Sequence, residues 1–444
     1  MLRRHFSTVC AISVPDKPPS VFLLSVPRDF INSEMPCEPS LTNVDVHHDD
    51  LVDLLGQRLS LEECVDRITF MGAGPEGVQG DVMTFDIFPN RPDLYSVEGI
   101  ARGLRGFLGL EVGLPSYRVE PSGIEFVVDP SVADVRPYAV GGVVRGIELD
   151  DALLRSLVDL QEKLHLTAGR RRRKVAIGIH DLDKVTPPYR YQAVRPHEVR
   201  FTPLGLAEEL DLAEILAKHD KGREYAPLVA SKPRFPIIQD AHGQVLSFPP
   251  VINGIVTQLT PDTQNLFLDV TGTDLEAVQG CLAILATALA ERGGRIQTVR
   301  TTYSDRTLET PDLSPAAHPL NLSRANAWLG LSLTPAQAVE GLRRMRHDAR
   351  ADGETLSVLS PAYRLDLLHE VDLAEDLAIS AGYDRYPRAL PRRPTIGEPL
   401  AANDFAEALR TLLVGYGYQE VMSLTVSASK DPFEAPDRVV IQNP

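Results

Sequence analysis

Between Tyr138 and Arg300, strand-like and helix-like segments follow one another without a fixed rhythm, and this constrains the fold more than any other feature. Residues 139–144, 174–179, 251–256 and 265–270 carry strand patterns, while 150–164 and 275–292 carry helical ones. A doubly wound parallel sheet needs regular strand–helix alternation, so an α+β arrangement is expected instead. The chain has 444 residues, too many for one ordinary domain. Its 43% hydrophobic and 24% charged content is enough to fill several buried cores.

Boundaries follow from composition and capping signals. Residues 1–40 lack periodicity and are read as an extension, because Pro15, Pro18, Pro19 and Pro27 would break an amphipathic helix. The opening Met-Leu-Arg-Arg faintly resembles a transit peptide, but a dispensable tail, or a true start at Met35, accounts for it better. An N-terminal α/β domain is expected over 41–120. There Asp49 or Asp50 would cap a short helix at 51–56, and Ser60 with Glu63 matches a capping box. A strand at 82–88 leads into the turn Pro89-Asn-Arg-Pro92. Ser96 would then cap a helix with the apolar stripe Ile100, Leu104, Phe107 and Leu108. The irregular middle block fills 121–310. In 311–386 a helix at 323–329 closes on Gly330, and Thr334 with Pro335 opens another to about 346. A proline-rich linker at 387–403 precedes the start of a further domain at 404–444.

A net charge of −16 excludes a protein whose whole surface grips nucleic acid, though not one with a local basic stripe. Cys10, Cys37, Cys64 and Cys281 are far apart, which fits reduced thiols in a cytoplasmic protein and neither a zinc site nor a disulfide framework. No apolar run is long enough for a membrane span. Gly72-Ala-Gly-Pro-Glu-Gly77 matches the dinucleotide fingerprint in form only: Pro75 removes an amide, Glu76 would repel phosphate, and no helix follows. A hairpin turn is expected there.

Asp372, Glu375 and Asp376 stand at i, i+3 and i+4, so on a helix they share one face, with Asp366 just before them. One reading is a solvated acidic first turn favoured by the helix dipole. The other is an oxygen-only site for a hard cation such as Mg²⁺. Gly169-Arg-Arg-Arg-Arg-Lys174 is the strongest basic run, read either as an exposed loop before a strand or as a set of phosphate contacts.

The run Pro361-Ala-Tyr-Arg-Leu-Asp366, with Asp372, Glu375 and Asp376 and the closing Ala381-Gly-Tyr-Asp384, resembles the signature of phenylalanyl-tRNA synthetase β subunits of the archaeal/eukaryotic type. Residues 88–107, 175–183 and 235–253 are similar to other parts of that family. The resemblance implies a multidomain α+β protein with an α/β editing domain, a winged-helix-like small domain and the start of a class II catalytic-like domain. That last domain normally runs on beyond the length present here, so the chain reads as C-terminally truncated. The resemblance also implies Asp366, Asp372, Glu375 and Asp376 as Mg²⁺ ligands. It further implies ATP as a substrate of the complex, and pairing with the α subunit in a heterotetramer of two α and two β that binds tRNA-Phe.

In that family the middle domain hydrolyses tRNA-Phe mischarged with tyrosine. A pocket built for phenylalanine rejects the same ring carrying a hydroxyl only weakly, so a second sieve is needed. Ser247, Asn253, Asp269 and Thr271 resemble the polar residues of the editing pocket, although such residues also commonly satisfy turns. Asp269 is expected to accept the tyrosine hydroxyl, with Ser247 and Asn253 placing the ester or the water. Beside this domain, Arg170, Arg171, Arg172, Arg173 and Lys174 would meet the tRNA acceptor end. Two rival readings are a stand-alone deacylase clearing mischarged tRNA and a non-catalytic RNA- or protein-binding module.

Overall fold

The computed structural model describes residues 10–12, 42–386, 390, 395 and 397–420. The chain divides into a unit over Glu38–Tyr386 and a second one made of Met1–Cys37 with Pro387–Pro444. The expected extension at 1–40 falls mostly outside the described residues, as do residues 387–389, 391–394 and 396 of the expected linker and residues 421–444 of the expected last domain.

The larger unit opens with β1 (Asn43–His47), β2 (Gly74–Gln79) and β3 (Val82–Asp86), in the order β1-β3-β2. Val44 lies opposite Phe85 and Val46 opposite Met83, all four buried, so the period-two pattern puts one face in the core. Packed with this sheet are α1 (His48–Leu55), α2 (Leu61–Phe70) and α3 (Val97–Phe107). The Ser60–Glu63 capping box and the Ser96 cap form as expected. Helix α1 differs: it begins at His48, and neither Asp49 nor Asp50 caps it. The Asp50 carboxylate instead pairs with both terminal nitrogens of Arg292. Gly74-Pro-Glu-Gly77 lies in β2 and pairs with β3, the hairpin expected in place of a phosphate loop.

The middle of this unit is a mixed sheet that also takes in β4 (Val119–Val128), β5 (Tyr138–Arg145), β6 (Val175–Asp181) and β7 (Tyr189–Val194). It continues through β8 (Phe235–Gln239), β9 (Val245–Phe248), β10 (Ile252–Asn253), β11 (Asn265–Gly272), β12 (Arg295–Thr302) and β13 (Thr307–Thr310). The order is β10-β9-β8-β7-β4-β12-β5-β11-β6, with β13 beside β12. Strand β4 runs parallel to β7 and β12, whereas β11 is antiparallel to both its neighbours. The strand expected over 251–256 shrinks to β10, because Gly254 N–H turns back to the Leu246 carbonyl (2.7 Å) and a helical turn over Ile255–Thr257 follows.

Helices α4 (Asp151–Leu166) and α5 (Leu275–Glu291) share the core of this sheet. Asp274 caps α5 by accepting from Ala277 N (3.0 Å). Leu282 and Leu285 of α5 are fully buried in the same core as Val144 and Leu268, a contribution of roughly 1.5–3 kcal/mol for each such side chain.

The third part is a sheet of β14 (Ala316–Asn321), β15 (Asp348–Asp352) and β16 (Thr355–Ser360), ordered β14-β16-β15. It carries α6 (Leu322–Leu329), α7 (Pro335–Arg344) and α8 (Glu370–Ala381). Gly330 closes α6 at φ 66°, a left-handed cap that glycine adopts without strain. Thr334 and Gln337 form the capping box of α7. In the other unit, α9 (Ala401–Gly415) precedes β17 (Tyr418–Glu420), which pairs with a strand at Cys10–Ile12. Among the described residues no helix is long and apolar enough to cross a membrane.

Candidate functional site

Asp269 and Thr271 stand two apart on β11, so their side chains leave the same face of the strand. Directly across on β6, Asp269 faces Gly178, and a Cβ there would overlap the Asp269 carboxylate and crowd His180. The glycine is therefore what lets a carboxylate sit between β11 and the neighbouring edge strand β6. Two residues along β6, His180 brings Nε2 to 2.6 Å from Asp269 Oδ2, and its Nδ1 lies 2.8 Å from Thr257 Oγ1. Both His180 and Asp269 are buried. The other carboxylate oxygen, Oδ1, takes no hydrogen bond from the described residues.

Ser247 on β9 lies directly opposite Asn253 on β10 in the strand register. The Ser247 hydroxyl is buried and has no hydrogen-bond partner. All four residues expected from sequence (Ser247, Asn253, Asp269 and Thr271) line one cavity of about 240 Å³, walled also by Val158, Ile177, Phe248 and Ile252. An apolar cavity of about 150 Å³ already holds a benzene ring, so an aromatic side chain fits the space.

Buried arginines brace the cavity wall. Arg136 donates from Nε to Thr271 Oγ1 (3.0 Å) and from Nη2 to the Thr271 carbonyl (2.7 Å). Burial pulls the Arg136 guanidinium down to about 10. Arg172 donates to the carbonyls of Pro250 (3.3 Å) and Val251 (3.1 Å) and to Glu162 Oε1 (2.6 Å), and its guanidinium lies over the Tyr225 ring. Burial would raise the Glu162 carboxyl, but the His165 hydrogen bond and the Arg172 charge outweigh it and hold the group at about 2. His165 is pulled down to about 4 by burial. As a neutral ring it accepts from Ile177 N (2.8 Å) through Nε2, with Nδ1 3.3 Å from Glu162.

The structure divides the basic run. Arg170, Arg171 and Arg172 have φ of 49°, 53° and 63°, a left-handed turn that costs about 1–2 kcal/mol per non-glycine residue. The bonds Arg172 N–His165 O (3.0 Å) and Lys174 N–Gly169 O (2.8 Å) hold the turn. It sends Arg172 into the cavity wall, which corrects its expected place among exposed RNA contacts. Arg170, Arg171 and Arg173 remain exposed, and no side-chain partner engages them among the described residues. Lys174 pairs with Asp274 (3.1 Å).

The acidic cluster builds a second cavity. Asp366, Asp372, Glu375 and Asp376 line it together with Asn90, Arg91 and Arg364. Arg364 grips Asp366 through Nε (2.9 Å) and Nη2 (2.8 Å), and Nη2 also reaches Asp376 Oδ2 (2.9 Å). His347 Nε2 lies 2.7 Å from the same Asp376 oxygen. Burial alone would raise the Asp376 carboxyl, yet Arg364 and His347 hold it well below the usual carboxylate range. Asp372 accepts from the backbone N–H of Leu368 (2.8 Å) and His369 (2.7 Å), capping α8, while Glu375 is exposed. The donor chemistry suits a hard cation, but Arg364 already supplies the positive charge. Among the described residues no group of three or more ligating side chains is arranged around a metal position. As arranged, the four acids do not fit Mg²⁺, because two are paired with arginine and a third is committed to the helix cap.

The neighbouring histidines at the start of α1 have separate partners: His47 meets Asp81 (3.3 Å), and His48 Nε2 meets the Leu59 carbonyl (2.9 Å). Sequence reasoning missed His180, Arg136 and the inward turn of Arg172. The stretch Val175–Asp183 carries part of the family resemblance, but its histidine gains meaning only once β6 lies beside β11.

Two family models match the chain: one described as a B3/4 domain over residues 150–301, and one described as a tRNA synthetase B5 domain over residues 318–383. A mixed sheet with a polar cavity, followed by a small three-stranded domain, thus places the protein among multidomain α+β tRNA-synthetase chains. The phenylalanine–tRNA ligase β subunit of Methanothrix thermoacetophila is 46% identical over 393 residues, covering 88% of this chain and 72% of that protein. That of Archaeoglobus fulgidus is 43% identical over 384 residues, covering 86% and 70%. The crystal structure of an N-terminal fragment of the phenylalanyl-tRNA synthetase β subunit from Pyrococcus horikoshii superposes with a TM-score of 0.74 at 42% identity, covering 76% of this chain and 99% of that one. The chain belongs to the phenylalanine–tRNA ligase β-subunit family.

Proposed function

We propose that the chain is the β subunit of a phenylalanine–tRNA ligase and that its middle-domain cavity hydrolyses tyrosine mischarged onto tRNA-Phe. In this reading an α subunit carries out the ATP-dependent joining of phenylalanine to tRNA, in a heterotetramer of two α and two β in the cytoplasm. The observation that carries the hydrolytic role is the convergence of Ser247, Asn253, Asp269 and Thr271 on one cavity, with the Ser247 hydroxyl left unmatched. Asp269 Oδ1 accepts the tyrosine hydroxyl. A phenylalanine ring in the same place leaves a desolvated carboxylate oxygen unpaired, at about 1–3 kcal/mol. Ser247 and Asn253 orient the ester and the water. Water adds to the ester carbonyl carbon, the bond to the ribose oxygen breaks, and that oxygen takes up a proton, releasing tyrosine and intact tRNA.

Arg170, Arg171 and Arg173, exposed beside the cavity wall, contact phosphates of the acceptor end in this reading. Mg²⁺ at Asp366, Asp372, Glu375 and Asp376 rests on the family resemblance alone, and no step is routed through it. Deacylation of Tyr-tRNA-Phe by the complex tests the hydrolytic role. Asp269→Ala is expected to lose most of it, and undiminished hydrolysis would sink the assignment.

A further inference from the structure

The pairing beneath Asp269 carries an inference that rests on the editing reading of the cavity and deepens it. A carboxylate can discriminate for a phenol only if an oxygen is free to accept and is aimed at the ligand. Asp269 is buried between strands, where a carboxylate with no donor would rotate between alternatives. His180 prevents this. Its Nε2 lies 2.6 Å from Oδ2, and its Nδ1 is tied to Thr257 Oγ1 at 2.8 Å, so the ring plane is set from the side away from Asp269. Facing a carboxylate oxygen, Nε2–H donates to Oδ2, and the Thr257 hydroxyl lies between Nδ1 and the Gly254 carbonyl (3.3 Å). Oδ1 is then the carboxylate oxygen without a protein partner. Gly178 supplies the room for this contact, since any side chain there would collide with both Asp269 and His180.

We propose that His180 is the positioning residue of the cavity, holding Asp269 so that a single oxygen faces the ligand and selects for a hydroxyl on the bound aromatic ring. His180 lies outside the cavity lining and touches no substrate, so its effect is on selectivity and reaches the ligand only through Asp269.

The test measures binding and hydrolysis separately on the full chain in complex with its α partner. Calorimetry would compare non-hydrolysable amide-linked tyrosyl-adenosine with its phenylalanyl counterpart for wild type, His180→Ala and His180→Gln. Gln can place an amide N–H near the Nε2 position, and its melting temperature reports whether the fold is kept. His180→Ala should lower the tyrosyl-to-phenylalanyl affinity ratio about tenfold, and His180→Gln should restore it to within about threefold of wild type. In an Asp269→Ala background, His180→Ala should leave the ratio unchanged. Equal loss for both analogues, an unchanged ratio, or a wild type that does not discriminate would each overturn the proposal. A wild type that discriminates between the analogues but fails to deacylate Tyr-tRNA-Phe would support the His180 role while removing the editing one.

Discussion

The cavity around Asp269 and the one around Asp376 are both polar, both walled by buried arginine and histidine, and both centred on a buried carboxylate. They differ in what is left over. Around Asp376, Arg364 and His347 both converge on Oδ2, and Arg364 grips Asp366 as well, so two carboxylates share one guanidinium, while His347 Nδ1 is buried without a partner. Around Asp269, His180 uses one oxygen, the other takes no hydrogen bond from the described residues, and the Ser247 hydroxyl of the cavity lining has no partner. A carboxylate pair already matched by a guanidinium is a closed charge set, which points to structure, whereas an unmatched hydroxyl on a cavity wall leaves a group for a ligand to complete. The contrast favours the proposed chemistry in the first region and support in the second, although the second carries the more conspicuous sequence motif.

The sharpest way to break this contrast is to open the closed set. Arg364→Ala leaves Asp366 and Asp376 facing each other without their shared cation. Removing one partner of a buried ion pair costs about 3–5 kcal/mol. Equilibrium denaturation in urea should show a loss of that order, and a loss under about 1 kcal/mol would mean that water or a cation already screens the pair.

The wall of the open cavity should respond to pH. His165 is lowered from 6.5 to about 4, so the folded state prefers the neutral ring. Above pH 6.5 both states are neutral there and this group does not oppose folding. As pH falls from 6.5 towards 4 the unfolded chain takes up the proton first, so stability declines across that window by about 3 kcal/mol. Glu162, lowered from 4.5 to about 2, continues the decline over its own window. A stability profile between pH 7 and pH 4 checks this, and His165→Gln should flatten the upper part.

At the ligand end, Asp269→Asn keeps the shape and exchanges the carboxylate for an amide. Hydrogen bonds to charged groups are worth about 1.5–3 kcal/mol, so hydrolysis of Tyr-tRNA-Phe should fall about 10- to 100-fold. The loss of stability should be smaller than for Arg364→Ala. If the two effects came out reversed, with hydrolysis intact and the fold damaged, the open cavity would be structural after all.

These expectations also show how far the sequence could be read. Local signals are legible because they need only nearby residues: the Ser60, Ser96 and Thr334 side chains cap their helices, and Gly330 stops its helix by taking a left-handed backbone. Asp49 and Asp50 do not cap because the helix starts a residue earlier, at His48, and Asp50 is held by a distant arginine, Arg292. The middle block read as α+β, and β11 gathers Asp269 and Thr271 on one face by its period of two. The sheet order that sets His180 against Asp269 joins residues 89 apart in the chain, beyond what any local pattern encodes. Likewise Arg170 to Arg173 are identical in letter, and only the left-handed turn decides which one points inward.

Those exposed arginines give a smaller effect that sharpens the functional side. Replacing Arg170, Arg171 and Arg173 together with alanine removes up to three phosphate contacts. The slope of log affinity for tRNA-Phe against log salt should fall by about 2–3 in magnitude. Arg172→Ala should instead disturb the cavity and lower stability, because its guanidinium bridges Glu162 and the Pro250 and Val251 carbonyls. Similar slopes for the wild type and the triple variant would place RNA contact elsewhere.

The smallest expected effect belongs to the closed region and tests it most directly. A site that binds only the folded state gains about 2.7 kcal/mol when ligand stands at a hundred times its dissociation constant. If Arg364 is the cation of the acidic cavity, millimolar Mg²⁺ or its removal with EDTA should leave the melting temperature of the isolated chain unchanged. In an Arg364→Ala variant the same carboxylates lose their internal counter-charge, and Mg²⁺ should then raise the melting temperature. A clear rise in the wild-type chain would show that the guanidinium yields to a metal. That result would move Asp366, Asp372, Glu375 and Asp376 from the closed class into the open one.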